Sequence, residues 1–147
     1  MSDPERIEET GRWIRFARED LEIAELILEQ GSVPRAACFN AQQAAEKALK
    51  ALLIARDKDF PKTHELFGLS RLLPEDFDVG VTDEELVSLG KWAVQPRYPG
   101  DLPDATREDA RAAVKQARVI FETALKDLED HGYDQKEERD EPDEEDA

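Results

Sequence analysis

Residues 34–56 read PRAACFNAQQAAEKALKALLIAR. Wound on a helix at about 100° per residue, Ala37, Ala41, Ala44, Ala45, Ala48, Leu49, Leu52 and Ala55 fall on one broad apolar arc. Phe39, Gln43, Glu46, Lys47 and Lys50 gather on the opposite side. The arc is mostly alanine, and small side chains let neighbouring helices approach to the short end of the usual spacing of roughly 8–10 Å. The segment therefore reads as the central helix of a bundle. The far side places an amide, a carboxylate and two ammonium groups within about two turns of each other. Two readings compete for it. One is a solvated face with Glu46 and Lys50 paired at i,i+4, worth a few tenths of a kcal/mol. The other is a polar contact surface.

Working outward, the chain before this stretch carries Ile7, Ile14, Ala17, Leu21, Ala24 and Leu28 at spacings mostly of three and four, which predicts a long helix from about Pro4 to Glu29. Trp13 and Phe16 supply packing bulk near its start. Gly31 suits a left-handed cap, Ser32 an N-cap and Pro34 a first turn, so the first two helices should be antiparallel neighbours joined by a short loop. After the central helix, RDKDFPK (56–62) breaks the periodicity. Thr63 is then placed to cap a short helix through His64, Leu66, Leu69, Leu72 and Leu73 that Pro74 closes. Asp76 to Val81 reads as an acidic connection. Thr82 and Glu85 form a capping box ahead of Leu86, Leu89 and Trp92, predicting a second short helix. Gln95 to Pro103, with three prolines and Gly100, is a loop carrying Arg97 and Tyr98. Ala110, Val114, Ala117, Phe121, Ala124 and Leu128 form a bundle seam on a last helix from about Thr106 to Asp130, ended near Gly132. Beyond Tyr133 no hydrophobe occurs before Ala147. The expected architecture is all-α: an antiparallel up-and-down bundle of three long helices and two short ones over residues 1–132, with a disordered acidic tail over 133–147.

The words QQAAEKALKALL, preceded by Trp13 and the DLEIA stretch and followed by Thr63-His64-Glu65-Leu66 and Arg97-Tyr98-Pro99, resemble the HEPN family, the helical domains named for higher eukaryotes and prokaryotes nucleotide-binding. The resemblance runs from Gly11 to Glu129. It implies a small subunit of the kind encoded beside minimal nucleotidyltransferases in toxin–antitoxin-like modules, forming a homodimer, binding the nucleotidyltransferase and contacting nucleotide or RNA. Many such proteins are metal-independent ribonucleases with an Arg-x(4–6)-His motif. This chain departs from that pattern: His131 lies far beyond Arg97, and His64 follows Arg56 with seven intervening residues. A non-catalytic or weakly catalytic subunit is thus the first expectation, and no residue is assigned as catalytic. A ribonuclease with an altered site and a helical interaction module without nucleotide remain the alternatives. Arg97 can still grip a phosphate through two guanidinium hydrogens. Tyr98 beside it offers a stacking surface, and the candidate contact set is Arg97, Tyr98, Gln43, Glu46, Lys47, Lys50 and His64. Pairing of Arg97 with Glu46 is a structural alternative.

Composition narrows the partners. A chain of 147 residues fits one domain. No apolar run approaches the roughly 18 residues that span a bilayer, and the acidic first residues lack a secretory core, so the expected place is the cytoplasm and no membrane is implied. One cysteine, Cys38, forms no internal disulfide and reads as a small buried hydrophobe. A formal net charge of -16 argues against binding duplex DNA unaided. Glycine-rich phosphate loops, CxxC, HExxH and metal-spaced carboxylates are missing, so neither cofactor nor metal is called for. The Asp57 and Asp59 pair stands beside Lys58 and Lys62. His131, at a helix end, suits the helix dipole.

Overall fold

The computed structural model describes residues 3–93 and 104–134. Helix α1 spans Pro4–Gln30, α2 Pro34–Ala55, α3 Leu66–Ser70 and α4 Asp83–Gly90, the last continuing into a 3-10 turn at Lys91–Ala93, and α5 spans Arg107–Asp130. No strand occurs among the described residues. Three long helices and two short ones form the expected bundle.

The ends of these helices follow local chemistry. Asp3 accepts from the Glu5 N–H at 3.0 Å, and Pro4 occupies the first turn of α1, where a missing N–H costs nothing. Gly31, at φ 77°, closes α1 by donating to the carbonyls of Ile27 and Leu28. Thr82 and Glu85 exchange side-chain and backbone bonds at α4 as the capping box requires, and Thr106 and Asp109 do the same at α5.

Two starts differ from expectation. Val33, not Ser32, flanks α2, at φ 56° and without a side-chain cap, because the chain reverses within three residues and needs a second left-handed position. Helix α3 begins at Leu66 behind Glu65, two residues later than a Thr63 cap would place it. Thr63 Oγ1 instead accepts from the Glu65 N–H at 3.1 Å in a local turn, and His64 stands ahead of the helix.

Helix α2 lies at the centre, packed chiefly on α1 and α5 and also touching α3 and α4. Ala37, Ala41, Ala44, Ala45 and Ala48 are wholly buried with Leu49 and Leu53, against Ile14, Ala17 and Ala24 of α1 and Ala117 and Ala124 of α5 in one hydrophobic core. The acidic connection crosses α5 closely: at Gly80, φ 96°, a Cβ would lie 2.6 Å from Val119 Cγ1. Tyr133, assigned to the tail by the sequence division at 132/133, is buried, and its hydroxyl would stand 3.6 Å from a Cβ placed on Gly11. The packed unit thus extends one residue past Gly132; residues 135–147 lie outside the described part. Among the described residues no helix is long and apolar enough to cross a membrane.

Candidate functional site

The side of α2 opposite its alanine arc is not a solvated face. The segment between α2 and α3 folds across it, and the Glu46 and Lys50 side chains keep 4% and 9% exposure. Lys50 Nζ donates to Glu46 Oε2 at 2.9 Å. Its ammonium also lies 5.4 Å from the Trp13 ring centre and 5.6 Å from that of Phe60, two rings that meet edge to face at 6.5 Å. The lysine is thus held by one carboxylate and two π faces, a suitable environment for a cation withdrawn from water. Trp13, read from sequence as packing bulk, has this second role.

The other oxygen of Glu46 serves the loop. His64 Nδ1 is 2.8 Å from Glu46 Oε1, and because an ionised carboxylate only accepts, the imidazole donates there. Gln42 Nε2 donates to the His64 carbonyl at 2.9 Å and, at a longer 3.4 Å, to Glu46 Oε1. Gln43 Nε2 in turn donates to Gln42 Oε1 at 2.7 Å. Gln42 is fully buried and is the residue that sequence reasoning passed over. The only signal for it is the adjacent Gln42-Gln43 pair, which by itself does not say which amide faces inward.

Of the seven candidates, Glu46, Lys50 and His64 converge, and Gln43 touches the group through Gln42. Lys47 turns away to Asp20, 2.5 Å distant, and ties α2 to α1. Arg97 and Tyr98, with the suggested pairing of Arg97 to Glu46, lie outside the described residues. Burial removes Glu46 and Lys50 from direct contact with a ligand. His64 differs: its side chain is 67% exposed although Nδ1 is held, so Nε2 is the nitrogen presented to solvent. The trio has a simple charge balance, since Lys50 offsets Glu46 and the net charge equals that of the imidazole. A neutral His64 offers a lone pair at Nε2, and a protonated one offers a hydrogen and a positive charge.

Beside His64 runs a groove of about 560 Å³, walled by Leu66 and Phe67 on one side and Leu86, Val87, Gly90 and Ala93 on the other, with Lys91 also lining it. Two titratable groups outside the trio are displaced from their ordinary values. Burial, aided by the Asp109 carboxylate and opposed by Lys91, pushes the Cys38 thiol up to about 11. The Thr106 N–H holds Asp109 below the usual carboxylate range. His131 Nδ1 lies 2.7 Å from the Asp127 carbonyl at the end of α5, the helix-terminal place expected of it.

Comparison with known proteins adds to this geometry. A family model described as HEPN domain matches residues 10–128. A Methanocaldococcus jannaschii protein named "Putative toxin MJ1304" is 30% identical over 132 residues, covering 79% of this chain and 85% of that one. The crystal structure of TT1696 from Thermus thermophilus superposes with a TM-score of 0.69 at 34% identity, covering 81% of this chain and 98% of that one. ST0689, described as an archaeal HEPN homologue, gives a TM-score of 0.65 at 27% identity over 81% and 97% of the two chains.

Proposed function

The chain belongs to the HEPN family, and from that premise we propose that it is the HEPN subunit of a two-component, toxin–antitoxin-like module. In this reading it forms a homodimer in the cytoplasm, binds a nucleotidyltransferase partner and contributes contacts to nucleotide or RNA. The observation that carries the reading is the relationship to a protein named as a toxin, 30% identical across most of both chains. The His64 imidazole, displayed on a buried carboxylate, supports the contact role, and Arg97 and Tyr98 join it on their chemistry alone. Native purification followed by identification of copurifying protein and nucleotide tests the module: a nucleotidyltransferase is expected, and clean recovery of this chain alone counts against it. Light scattering should report a dimer at micromolar concentration, with a monomer at both low and high salt as the contrary result. Substituting Arg97 with Ala should weaken nucleotide or RNA binding at least tenfold, about 1.4 kcal/mol, in a protein that still folds.

A second reading is a ribonuclease with an altered site. It is favoured by one feature, an exposed imidazole nitrogen whose partner nitrogen is fixed by Glu46. RNA degradation by the pure protein, lost on substitution of Arg97 or His64, separates it from the first.

A further inference from the structure

We propose that His64 and the groove beside it form the binding site for one nucleotide unit, with the imidazole Nε2 on the phosphate and the apolar walls against the base. This rests on the nucleotide-contact reading above and assigns that contact to a place.

The first support is the rigidity of the imidazole. Its Nδ1 is held by a carboxylate that Lys50 and Gln42 grip in turn, and its own backbone carbonyl is held by Gln42. The group that meets the ligand is ordered before the ligand arrives, which lowers the entropy lost on binding. The same segment is held as well by the Phe60 packing on Lys50, so the imidazole is set on a fixed backbone.

The second support is charge. Because Lys50 cancels Glu46, a proton on His64 leaves the trio positive; Lys91 also lines the groove, with its ammonium 4.9 Å from the Trp92 ring centre and partly offset by Asp109. Among the described residues Glu65 is the one acid in the lining, and its carboxylate folds back over α3, where a Cβ on Gly68 would lie 3.5 Å from Oε1. In a chain of formal net charge -16 a lining with one acid, turned aside, suits an anion.

The third support is the wall chemistry. Phe67 and Val87 contribute apolar surface, Val87 with 61% exposure, and a volume of about 560 Å³ is within the range of small-molecule sites. A ligand with a flat, weakly polar body and one anionic group uses both parts. A free mononucleotide and a nucleotide within single-stranded RNA share that chemistry.

The test uses the full chain labelled with 15N-histidine, whose two imidazoles report separately, His131 at the far end of α5 serving as the internal control. Titration with each of the four ribonucleoside 5′-monophosphates should move the Nε2 signal of His64 and leave His131 in place, while the matching nucleosides and inorganic phosphate should bind at least tenfold more weakly. His64→Gln and Val87→Glu, each checked for retained helicity, should each weaken mononucleotide binding at least tenfold. A mixed-sequence single-stranded oligoribonucleotide binding tighter than any mononucleotide identifies RNA as the source of the unit, and equal or weaker binding identifies the free nucleotide. Binding with an unmoved His64 signal, or with unchanged affinity in both variants, overturns this assignment while leaving the nucleotide-contact reading standing. Absence of binding by every probe overturns both.

Discussion

At Glu46 a carboxylate with 4% exposure holds a lysine with 9%, and neither would be stable there without the other. Withdrawing two charges from water is costly, and removing one partner leaves the second uncompensated, a loss of about 3–5 kcal/mol for a buried pair. Glu46→Ala should therefore lower the unfolding free energy by roughly that amount. The double variant Glu46→Gln, Lys50→Met should lose less than either single change, because it removes the stranded charge while keeping the volume. Urea denaturation of the wild type, Glu46→Ala, Glu46→Gln, Lys50→Met and the double variant decides it. Cys38 gives a pH dependence of known sign. Its thiol titrates at about 11 in the fold against an ordinary 9.0, so above pH 9 the unfolded chain ionises while the folded one stays protonated. Stability from this group is complete below pH 9 and falls as pH rises from 9 toward 11. Cys38→Ala should show a shallower decline across that window in thermal melts. At this scale the sequence reveals that Glu46 and Lys50 are one turn apart and oppositely charged. It does not reveal that they are buried, since His64, eighteen residues on from Glu46, and Phe60 do the burying.

Helices α4 and α5 start where their sequences say, because a capping box is made by residues three apart and needs nothing from the rest of the molecule. Thr106 Oγ1 accepts from the Asp109 N–H at 3.0 Å, and Asp109 returns the bond to the Thr106 N–H at 2.9 Å. Thr106→Ala should cost about 1 kcal/mol, read as a lower urea midpoint with an unchanged slope. Helix α3 shows the limit of such reasoning. Thr63 is an acceptable cap by residue type, yet the helix waits until Leu66, because Gln42 holds the His64 carbonyl and keeps the chain extended there. Val33 likewise takes a left-handed conformation that its β-branched side chain disfavours, imposed by the tight reversal between α1 and α2.

Across the whole molecule the acidic end divides at Tyr133. Residues 135–147 carry eight acidic and two basic side chains and no hydrophobe except the final alanine, so they offer little surface to bury. Tyr133 is itself buried over Gly11 of α1. Truncation after Asp134 is expected to leave the melting temperature nearly unchanged, and truncation after Gly132 to lower it by several degrees, since a buried aromatic side chain is lost. Equal melting of the two truncated proteins would show that Tyr133 contributes nothing. The contrast also explains why composition alone misplaced the boundary: one tyrosine at the head of a charged run reads as part of it, and its burial depends on Gly11, at the other end of the chain.

The sequence by itself determined the helices, their order, the alanine-rich centre on α2 and the family resemblance. Periodicity and caps depend on residues within a turn or two of one another, so they are written locally. Only the tertiary structure decided which polar groups of α2 meet and which of them remain available. It turned Gln42 inward in place of Gln43, sent Lys47 to Asp20, enclosed Glu46 and Lys50, and left the His64 imidazole exposed. Apart from the Lys47 tie to α1, those outcomes depend on where the segment between α2 and α3 comes to rest. That is settled by the packing of Phe60 on Trp13 and Lys50, contacts between residues far apart in the chain that no local spacing encodes.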